Sequence, residues 1–294
     1  MKRKTKEIGS IEKLFFYMNF YYVILRVIVR QKIRKNKPIR TRNFVESHYS
    51  SNKGYDKYLQ SKFWTNAKDL KDFCEYWIVK QAFNNENDVP IICIFDKKLY
   101  KISKYQVQEW QHRNQVIKKF ISNSDEIVEI GCGYGRQLFS LRADNVLNNL
   151  KGYDLSKIGI ETARKINDHF CCNVEFDLID LTKNYENELL CGKTVYSVYA
   201  LEQMKHYMEK VILNLIESKP KQVLHFEVSV ESLNWNLKGL ATRLYLTSKD
   251  YQTNLLKILR KYEKKGLLKI THIERLGYSL NPHNECSLIR WVPK

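Results

Sequence analysis

Three glycines within five residues, directly after a short apolar run, constrain the fold of this chain more than any other feature. Residues 127–136 read IVEIGCGYGR and contain Gly131, Gly133 and Gly135. The β-branched residues before the glycines are typical of a buried parallel strand, and the residues after Arg136 begin a helical pattern. Glycines at such a junction permit a tight turn and expose backbone N–H groups beside the positive end of a helix. The stretch predicts a turn that binds a nucleotide-like ligand, although glycines needed for sterics alone would give the same pattern.

The spacing of the glycines distinguishes between classes of nucleotide-like ligand. A dinucleotide-binding turn has the pattern G-x-G-x-x-G. Here Gly135 comes one residue early, and Arg136 stands where the dinucleotide pattern has glycine. The pattern G-x-G-x-G after an acidic residue, here Glu129, resembles that of class I S-adenosyl-L-methionine (SAM) methyltransferases. In that family the glycine turn lies against the methionine part of the ligand.

Acidic residues follow the next two predicted strands at the spacing of the same family. Leu150–Asp154 reads as a strand that ends in an acid nineteen residues after Gly135. A carboxylate there can accept hydrogen bonds from both ribose hydroxyls. Residues 174–181 read as a third strand running into Asp180, where the family has the acid that binds the adenine amine, and residues 194–199 read as a fourth strand. The resemblance implies SAM as cofactor, S-adenosyl-L-homocysteine as product, and cofactor binding by Glu129, Gly131, Gly133, Gly135, Asp154, Leu155, Asp180, Leu181 and Arg113.

From residue 123 onward, predicted strands and helices alternate, as a doubly wound parallel sheet requires. Residues 221–227 form the predicted fifth strand, and residues 268–276 and 287–292 form two closing strands. Residues 247–250 resemble a capping box that opens a helix running through Lys264. The family resemblance implies an α/β fold, with a Rossmann-like seven-stranded methyltransferase sheet that is mostly parallel and has an antiparallel last strand.

The chain is predicted to have three parts. Residues 1–42 form a basic amphipathic N-terminal arm, residues 43–122 a cap or lid segment, and residues 123–294 the SAM-dependent methyltransferase domain. The resemblance implies that the cap covers the cofactor and supplies part of the substrate pocket. Within the cap, residues 55–83 are predicted to be helical, 90–95 and 99–102 to form a hairpin, and 105–121 to form a helix.

Candidate catalytic residues follow the fourth and fifth strands, because ligands bind outside the carboxyl ends of parallel strands where the strand order reverses. Glu202 and His206 follow the fourth strand, and Glu227 ends the fifth. Each is able to remove a proton from a hydroxyl acceptor held near the methyl group, or simply to satisfy a strand end. No metal is predicted, since only two acids are in place to bind one. Candidate substrate-binding residues are Gln203, His225, Tyr278, Asn281 and Asn284, with a buried core histidine as the alternative for His225.

Three short segments narrow the resemblance. Residues 200–203 (ALEQ), 225–227 (HFE) and 284–291 (NECSLIRW) resemble bacterial methyltransferases encoded with O-antigen and capsule biosynthesis. The resemblance covers residues 105–294, and one departure is Val228, which stands where many relatives have proline. It implies O-methylation of a sugar or sugar-linked group in a surface polysaccharide precursor, with a small-molecule or lipid-linked glycan as substrate.

The distribution of charge bears on rival functions. The net charge is +18, and residues 1–42 carry thirteen Lys or Arg against two acids, a net +11, so the excess is local. A nucleic-acid-binding face would spread its charge more evenly.

The segment after the fourth strand also bears on nucleic-acid methylation. Enzymes that methylate base amines generally carry an Asn/Asp-Pro-Pro-aromatic motif there, where this chain has ALEQ. Nucleic acid is therefore a disfavoured partner. RNA ribose 2′-O-methylation remains as an alternative function, and a non-catalytic membrane-associated adaptor as another.

The N-terminal arm contains an aromatic-rich apolar run at residues 14–29, interrupted by Asn19 and Arg26. The run is too short and too polar for a transmembrane helix, and no small-residue cleavage site follows it. Basic residues on both sides predict an interfacial helix on an anionic membrane, with packing on the protein's own body or on a second subunit as the alternative.

Seven scattered cysteines predict a reducing compartment without a disulfide framework or zinc site. The predicted localisation is cytoplasmic, peripheral on the inner face of the cytoplasmic membrane.

Overall fold

The computed structural model describes residues 6–33, 56, 59–77, 91–95, 98–102, 109–249, 251, 253–279 and 281–294.

A small antiparallel sheet joins the N-terminus to the cap. Strands β1 (Lys6–Glu7), β2 (Ile91–Phe95) and β3 (Lys98–Ile102) lie in the order β1-β3-β2. The pairing of β2 with β3 confirms the predicted cap hairpin.

The main sheet has seven strands, with the bounds β4 (Ile127–Ile130), β5 (Leu150–Asp154), β6 (Val174–Leu178), β7 (Thr194–Val198), β8 (Gln222–Glu227), β9 (Leu268–Arg275) and β10 (Ser287–Pro293). Their order is β6-β5-β4-β7-β8-β10-β9. The pairs from β6 through β8 are parallel, and β10 is antiparallel to both of its neighbours. The predicted Rossmann-like, mostly parallel sheet with an antiparallel last strand is confirmed. The strand order reverses between β4 and β7, and ligands of such sheets bind at that point.

The main helices are α1 (Ser10–Ile33), α2 (Glu109–Lys118), α3 (Arg136–Ala143), α4 (Lys157–Phe170), α5 (Met208–Glu217), α6 (Leu237–Lys249) and α7 (Leu255–Lys264). Apolar clusters cover both faces of the sheet. One contains Phe139 and Ile160 from α3 and α4, and the other contains Ile212 and Leu259 from α5 and α7. Burial on both faces explains why the central strands β4 and β7 are almost entirely buried and rich in β-branched residues. Within the described residues, no helix combines the length and the apolar character needed to cross a membrane.

Two predicted helices differ from the structure. The helix predicted to open at residues 247–250 is wrong, because α6 already extends to Lys249 and the next helix begins after Asn254. Residues 55–83 are predicted to be helical, and their described part is helical in short pieces and not as one continuous helix: residues 56 and 59–61, Phe63–Asn66, Leu70–Asp72 and a π-helix at Phe73–Trp77. Two local features break that segment: Lys62 has a left-handed φ of 44°, and Asp69 caps a new turn by accepting from the Asp72 backbone N–H. Residues 78–83, and residues 105–108 of the predicted cap helix, lie outside the described residues.

Candidate active site

The glycine turn after β4 is shaped by close contacts within the protein. Gly131, Gly133 and Gly135 have φ values of +72°, +57° and +82°, a backbone region that favours glycine. A Cβ on Gly131 would overlap the Cβ of Ala200, and a Cβ on Gly135 would lie 2.7 Å from the Phe176 ring. Packing against the protein's own side chains therefore accounts for two of the three glycines. The turn is built so that the segment after β7 approaches the end of β4.

The third glycine helps to fix the acid at the end of β5. The Gly133 N–H donates to Asp154 Oδ2 at 2.7 Å, and the Ser156 N–H donates to Oδ1 at 2.7 Å. Burial raises the pKa of Asp154, and hydrogen bonds from Ser156, Gly133 and Leu155 act in the opposite direction. The carboxylate is thus held in one orientation by backbone donors before any ligand binds.

A cavity that is open to solvent lies at the carboxyl ends of strands β4 to β7. It contains two acids, Asp154 and Asp180, from neighbouring strands. Asp180 Oδ1 accepts from the backbone and hydroxyl of Thr182, and Oδ2 pairs with Lys183 at 3.2 Å. Partial burial raises the pKa of Asp180, but these partners outweigh burial and hold it below its ordinary value. The lining residues are Gly131, Asp154, Leu155, Ile179, Asp180, Leu181, Thr182, Ala200, Gln203 and Met204.

Four of the predicted cofactor residues are not among the residues that line this cavity: the turn glycines Gly133 and Gly135, and the side chains of Glu129 and Arg113. Glu129 is buried in β4 and accepts from the Tyr196 hydroxyl at 3.0 Å. Burial raises its pKa to about 8, against the Tyr196 hydrogen bond and the charge of Arg113. Arg113 is also buried; its Nε donates to Gln137 Oε1 at 2.7 Å, and its guanidinium lies 5.6 Å from the centre of the Tyr199 ring. Their direct contact with a cofactor remains a prediction.

Glu227, at the end of β8, anchors the segment that follows β7. Its Oε1 accepts from Ser197 Oγ at 2.9 Å, from the Ala200 N–H at 3.0 Å and from the Leu201 N–H at 3.1 Å. Burial raises the pKa of Glu227 to about 7, although these hydrogen bonds lower it. Its other oxygen, Oε2, is buried and has no hydrogen-bond partner among the described residues. The side chain therefore fixes the turn that carries Ala200 into the site.

His225 is a core residue, and its predicted role in substrate binding is wrong. It is fully buried in β8, where Trp291 Nε1 donates to its Nε2 at 3.0 Å. That contact leaves the ring proton on Nδ1, which donates to Ser197 Oγ at 3.1 Å, so the serine hydroxyl is free to donate to Glu227. Burial lowers the pKa of His225 to about 3, so the ring is neutral. Its function in this structure is to orient Ser197.

Glu202 lies beside Glu227, one residue before the cavity-lining Gln203. Its Oε2 accepts from Asn284 Nδ2 at 3.1 Å. Burial raises the pKa of Glu202 to about 8, and the nearby charge of Glu227 acts in the same direction. The Asn284 carbonyl in turn accepts from the Tyr199 hydroxyl at 3.2 Å. The structure thus brings together the predicted residues Glu202, Glu227 and Asn284.

Four other predicted residues are placed differently. His206 is exposed, whereas Glu202 and Glu227 are buried, and none of the three is among the residues that line the cavity. Gln203 lines the same cavity as Asp154 and Asp180, which places it with the predicted cofactor residues. Tyr278 stacks on His112 with ring centres 3.7 Å apart, and Asn281 Nδ2 donates to the Tyr245 hydroxyl at 3.0 Å. Both contacts stabilise the loop between β9 and β10.

Sequence reasoning did not identify several residues of the site. Tyr196 donates a hydrogen bond to Glu129, and Ser197 donates one to Glu227. Ala200 and Met204 line the cavity. Ile179 directly precedes Asp180 and Thr182 follows it by two positions, so both could have been found by extending the prediction two residues to either side of each acid. Ser197 carried no signal, because its role depends on a contact with a strand 28 residues away.

The three buried glutamates make the stability of the protein depend on pH. Burial raises the pKa values of Glu129 and Glu202 to about 8 and that of Glu227 to about 7, so the folded chain keeps protons that the unfolded chain releases near 4.5. The stability that these bound protons supply is lost as the pH rises from about 4.5, where the unfolded chain releases them, to about 8, and the free energy of unfolding should level off above that. His225 and His283, whose pKa values burial lowers to about 3 and 4, oppose this trend only below about 6.5, where the unfolded histidines hold protons, so the fall should be clearest between pH 6.5 and 8. Thermal melts at a series of pH values test this, and Glu129→Gln should flatten the slope; a melting temperature that rises with pH would contradict it.

Comparisons with known proteins give structural likenesses only. No family model matches the chain, and no curated protein matches it. Magnesium protoporphyrin IX methyltransferase from Synechocystis PCC 6803, solved with bound S-adenosyl-L-homocysteine, is 12% identical, with 76% of this chain and 98% of that chain covered and a TM-score of 0.48. The PH0226 protein from Pyrococcus horikoshii OT3 is 16% identical over 64% and 93% of the two chains, with a TM-score of 0.46. A SAM-dependent methyltransferase from Aquifex aeolicus is 11% identical over 63% and 91%, with a TM-score of 0.43. Structural similarity at these sequence identities and TM-scores supports no argument about the chemistry of this chain. Functional conclusions depend on the residues of its own site.

Proposed function

We propose that the chain is a SAM-dependent methyltransferase whose cofactor binds in the cavity at the ends of β4 to β7. One observation carries the proposal: Asp154 and Asp180, from neighbouring strands, share a single cavity with Gly131 where the strand order reverses. Two carboxylates at this position suit a ligand with hydroxyl and amine groups that donate hydrogen bonds. Sheets of this kind bind nucleotides at the reversal of strand order.

The residues present fit SAM. Asp154 would accept from the ribose hydroxyls and Asp180 from the adenine amine. Leu155, Ile179 and Leu181 supply apolar surface for the adenine ring. SAM, when bound, supplies an electrophilic methyl group on a positively charged sulfur.

Calorimetry with SAM tests the cofactor assignment. Asp154→Ala should weaken binding by about 1–3 kcal/mol, because it removes a partner from buried hydroxyls. Asp177→Ala is the matched control, since Asp177 is an exposed acid on β6 whose ion-pair partner is Arg164. Equal affinity of the wild type and both variants would remove Asp154 from the site, and no binding of SAM to the wild type would reject the cofactor.

We infer that the reaction is O-methylation, with Glu202 as the base. The acceptor hydroxyl gives its proton to the Glu202 carboxylate while the new O–C bond forms and the C–S bond breaks. A carboxylate with a raised pKa suits this role, because it takes up a proton readily near neutral pH. Glu227 holds the segment from Ala200 to Glu202 in place through its backbone hydrogen bonds.

The acceptor proposed here is a sugar hydroxyl of a surface polysaccharide precursor. Support comes from the resemblance of residues 200–203, 225–227 and 284–291 to glycan-modifying methyltransferases. RNA ribose 2′-O-methylation is the second candidate, favoured by the net charge of +18. Incubation with methyl-labelled SAM distinguishes them: label in a glycan or lipid-linked fraction supports the first, and label in RNA supports the second.

A further inference from the structure

Helix α1 is fixed to the body of the protein by one of its faces. Tyr17 on this face is buried, and Phe16 stacks on His283 with ring centres 5.3 Å apart. The Tyr21 hydroxyl donates to the Leu237 carbonyl at 2.7 Å, and β1, directly before the helix, pairs with β3. Packing on the protein's own body, one of the two predicted roles of this segment, therefore accounts for one face of the helix.

The opposite face of α1 is a stripe of large apolar side chains that nothing in the described structure covers. These residues, which we call the outer stripe, are Ile11, Leu14, Phe15, Met18, Tyr22, Leu25 and Val29, each between 49% and 72% exposed. Positions 11, 15, 18, 22, 25 and 29 alternate spacings of four and three, which places them along one side of a helix. Single exposed apolar residues are normal on a soluble protein, but a continuous row on one helix indicates an interaction surface.

Exposed apolar side chains also occur at the start of α6, the helix on which α1 packs. Leu237, whose carbonyl accepts from Tyr21, is itself 43% exposed, and Trp235, just before α6, is 80% exposed, with the Arg243 guanidinium 4.1 Å from its ring centre. Exposed tryptophans are typical of groups that bind at the boundary between lipid and water. The element on which α1 docks therefore has exposed apolar side chains of its own.

The charge around the helix identifies the partner. Residues 1–42 have a net charge of +11, and the basic residues stand mainly on either side of the outer stripe in the sequence. We propose that the outer stripe docks α1 onto the surface of an anionic lipid bilayer. Apolar side chains enter the boundary region while the flanking Lys and Arg bind acidic headgroups. A second copy of the chain would also cover the stripe, but it would bring another +11 arm against the first, whereas anionic lipid neutralises the arm.

Sedimentation with lipid vesicles tests the proposal on the full chain. The protein should co-sediment at low salt with vesicles of phosphatidylcholine and phosphatidylglycerol, and far less with phosphatidylcholine alone. The double variant Phe15→Ser, Leu25→Ser should lower the bound fraction by about tenfold or more, because apolar burial drives insertion. Both side chains are exposed, so the melting temperature should stay near that of the wild type. The matched control is Leu147→Ser, Leu267→Ser, which replaces exposed leucines elsewhere and should bind as the wild type does.

Point variants are needed because deleting the N-terminal segment would disturb both vesicle binding and the packing of the folded protein. Deleting residues 1–42 would remove Ile8 and Tyr17, which pack with Ile94, Leu99 and Ala241. Wild-type protein that stays in the supernatant with anionic vesicles, or a stripe variant that binds as well as the wild type, would overturn the proposal. A dimer that the stripe variant converts to monomer, without vesicle binding, would instead assign the stripe to a second copy. SAM calorimetry is independent of these outcomes, so failure here leaves the proposed methyl transfer standing.

Discussion

Replacing Glu202 with Gln is expected to lower kcat about 100-fold or more while SAM still binds, because general-base catalysis contributes at least that factor. Glutamine keeps an oxygen acceptor for Asn284 Nδ2, so the local hydrogen bond survives while the group that takes the proton is lost. The measurement is transfer of labelled methyl from SAM into an extract of the producing cells, with SAM affinity determined by calorimetry on the same preparation.

Two further variants separate the base from its surroundings. His206→Ala should have near-normal turnover, because this histidine is exposed and outside the cavity. Glu227→Ala should lower both turnover and melting temperature, since it removes the oxygen that anchors the backbone at Ala200 and Leu201. Near-normal turnover in Glu202→Gln would show that the proton leaves by another route, and loss of turnover in His206→Ala alone would restore the histidine as the base.

The pH dependence of the reaction follows from the same group. Burial raises the pKa of Glu202 to about 8, and only the deprotonated carboxylate accepts a proton. Turnover is therefore expected to rise with pH, reach half of its maximum near pH 8 and level off about one unit above that. Saturating SAM supplies ligand throughout the range, so the rise reports the base.

The sequence predicted the main sheet well because its signals are local. An apolar β-branched run followed by glycine marked β4, and a terminal acid marked the end of β5. The acids at the end of β5 and beyond β6 fell in one cavity. Such patterns depend on residues close together in the chain, and a parallel sheet imposes the rest of the geometry. The strand-end positions of Asp154 and Asp180, together with the family resemblance that assigned both to one ligand, therefore predicted that they lie in one site.

The parts that the sequence did not predict depend on contacts between distant residues. His225 stands at a strand end, where a binding residue is expected, but Trp291 covers it from β10. Glu227 reads as a possible base, yet the structure uses its Oε1 to hold the backbone after β7. The two faces of α1 could not be told apart in advance, because its apolar run surrounds most of the helix and only docking onto His283 and Leu237 selects the buried side.

Substitution of a glycine in the turn after β4 is expected to have the second large effect, on stability and on SAM affinity. Its cause is close packing within the protein as much as the approach of a ligand. Gly131→Ala should lower the free energy of unfolding by about 2–5 kcal/mol. Of this, about 1–3 kcal/mol comes from forcing a methyl group into a filled site. A further 1–2 kcal/mol or so comes from placing an L-residue in a left-handed conformation. Either the end of β4 or the segment at Ala200 must move, and both line the cavity, so SAM affinity should fall as well.

Gly192→Ala separates the two causes of that loss. Gly192 has nearly the same backbone conformation, with φ +69°, but a Cβ there would meet no atom within 4 Å. It should therefore show only the conformational cost of about 1–2 kcal/mol and unchanged SAM affinity. Denaturant unfolding of both variants, with calorimetry at a temperature where both are folded, makes the comparison. Equal destabilisation of the two would mean that the turn has room for a side chain at Gly131, and the close approach of Ala200 to the end of β4 would no longer explain the glycine.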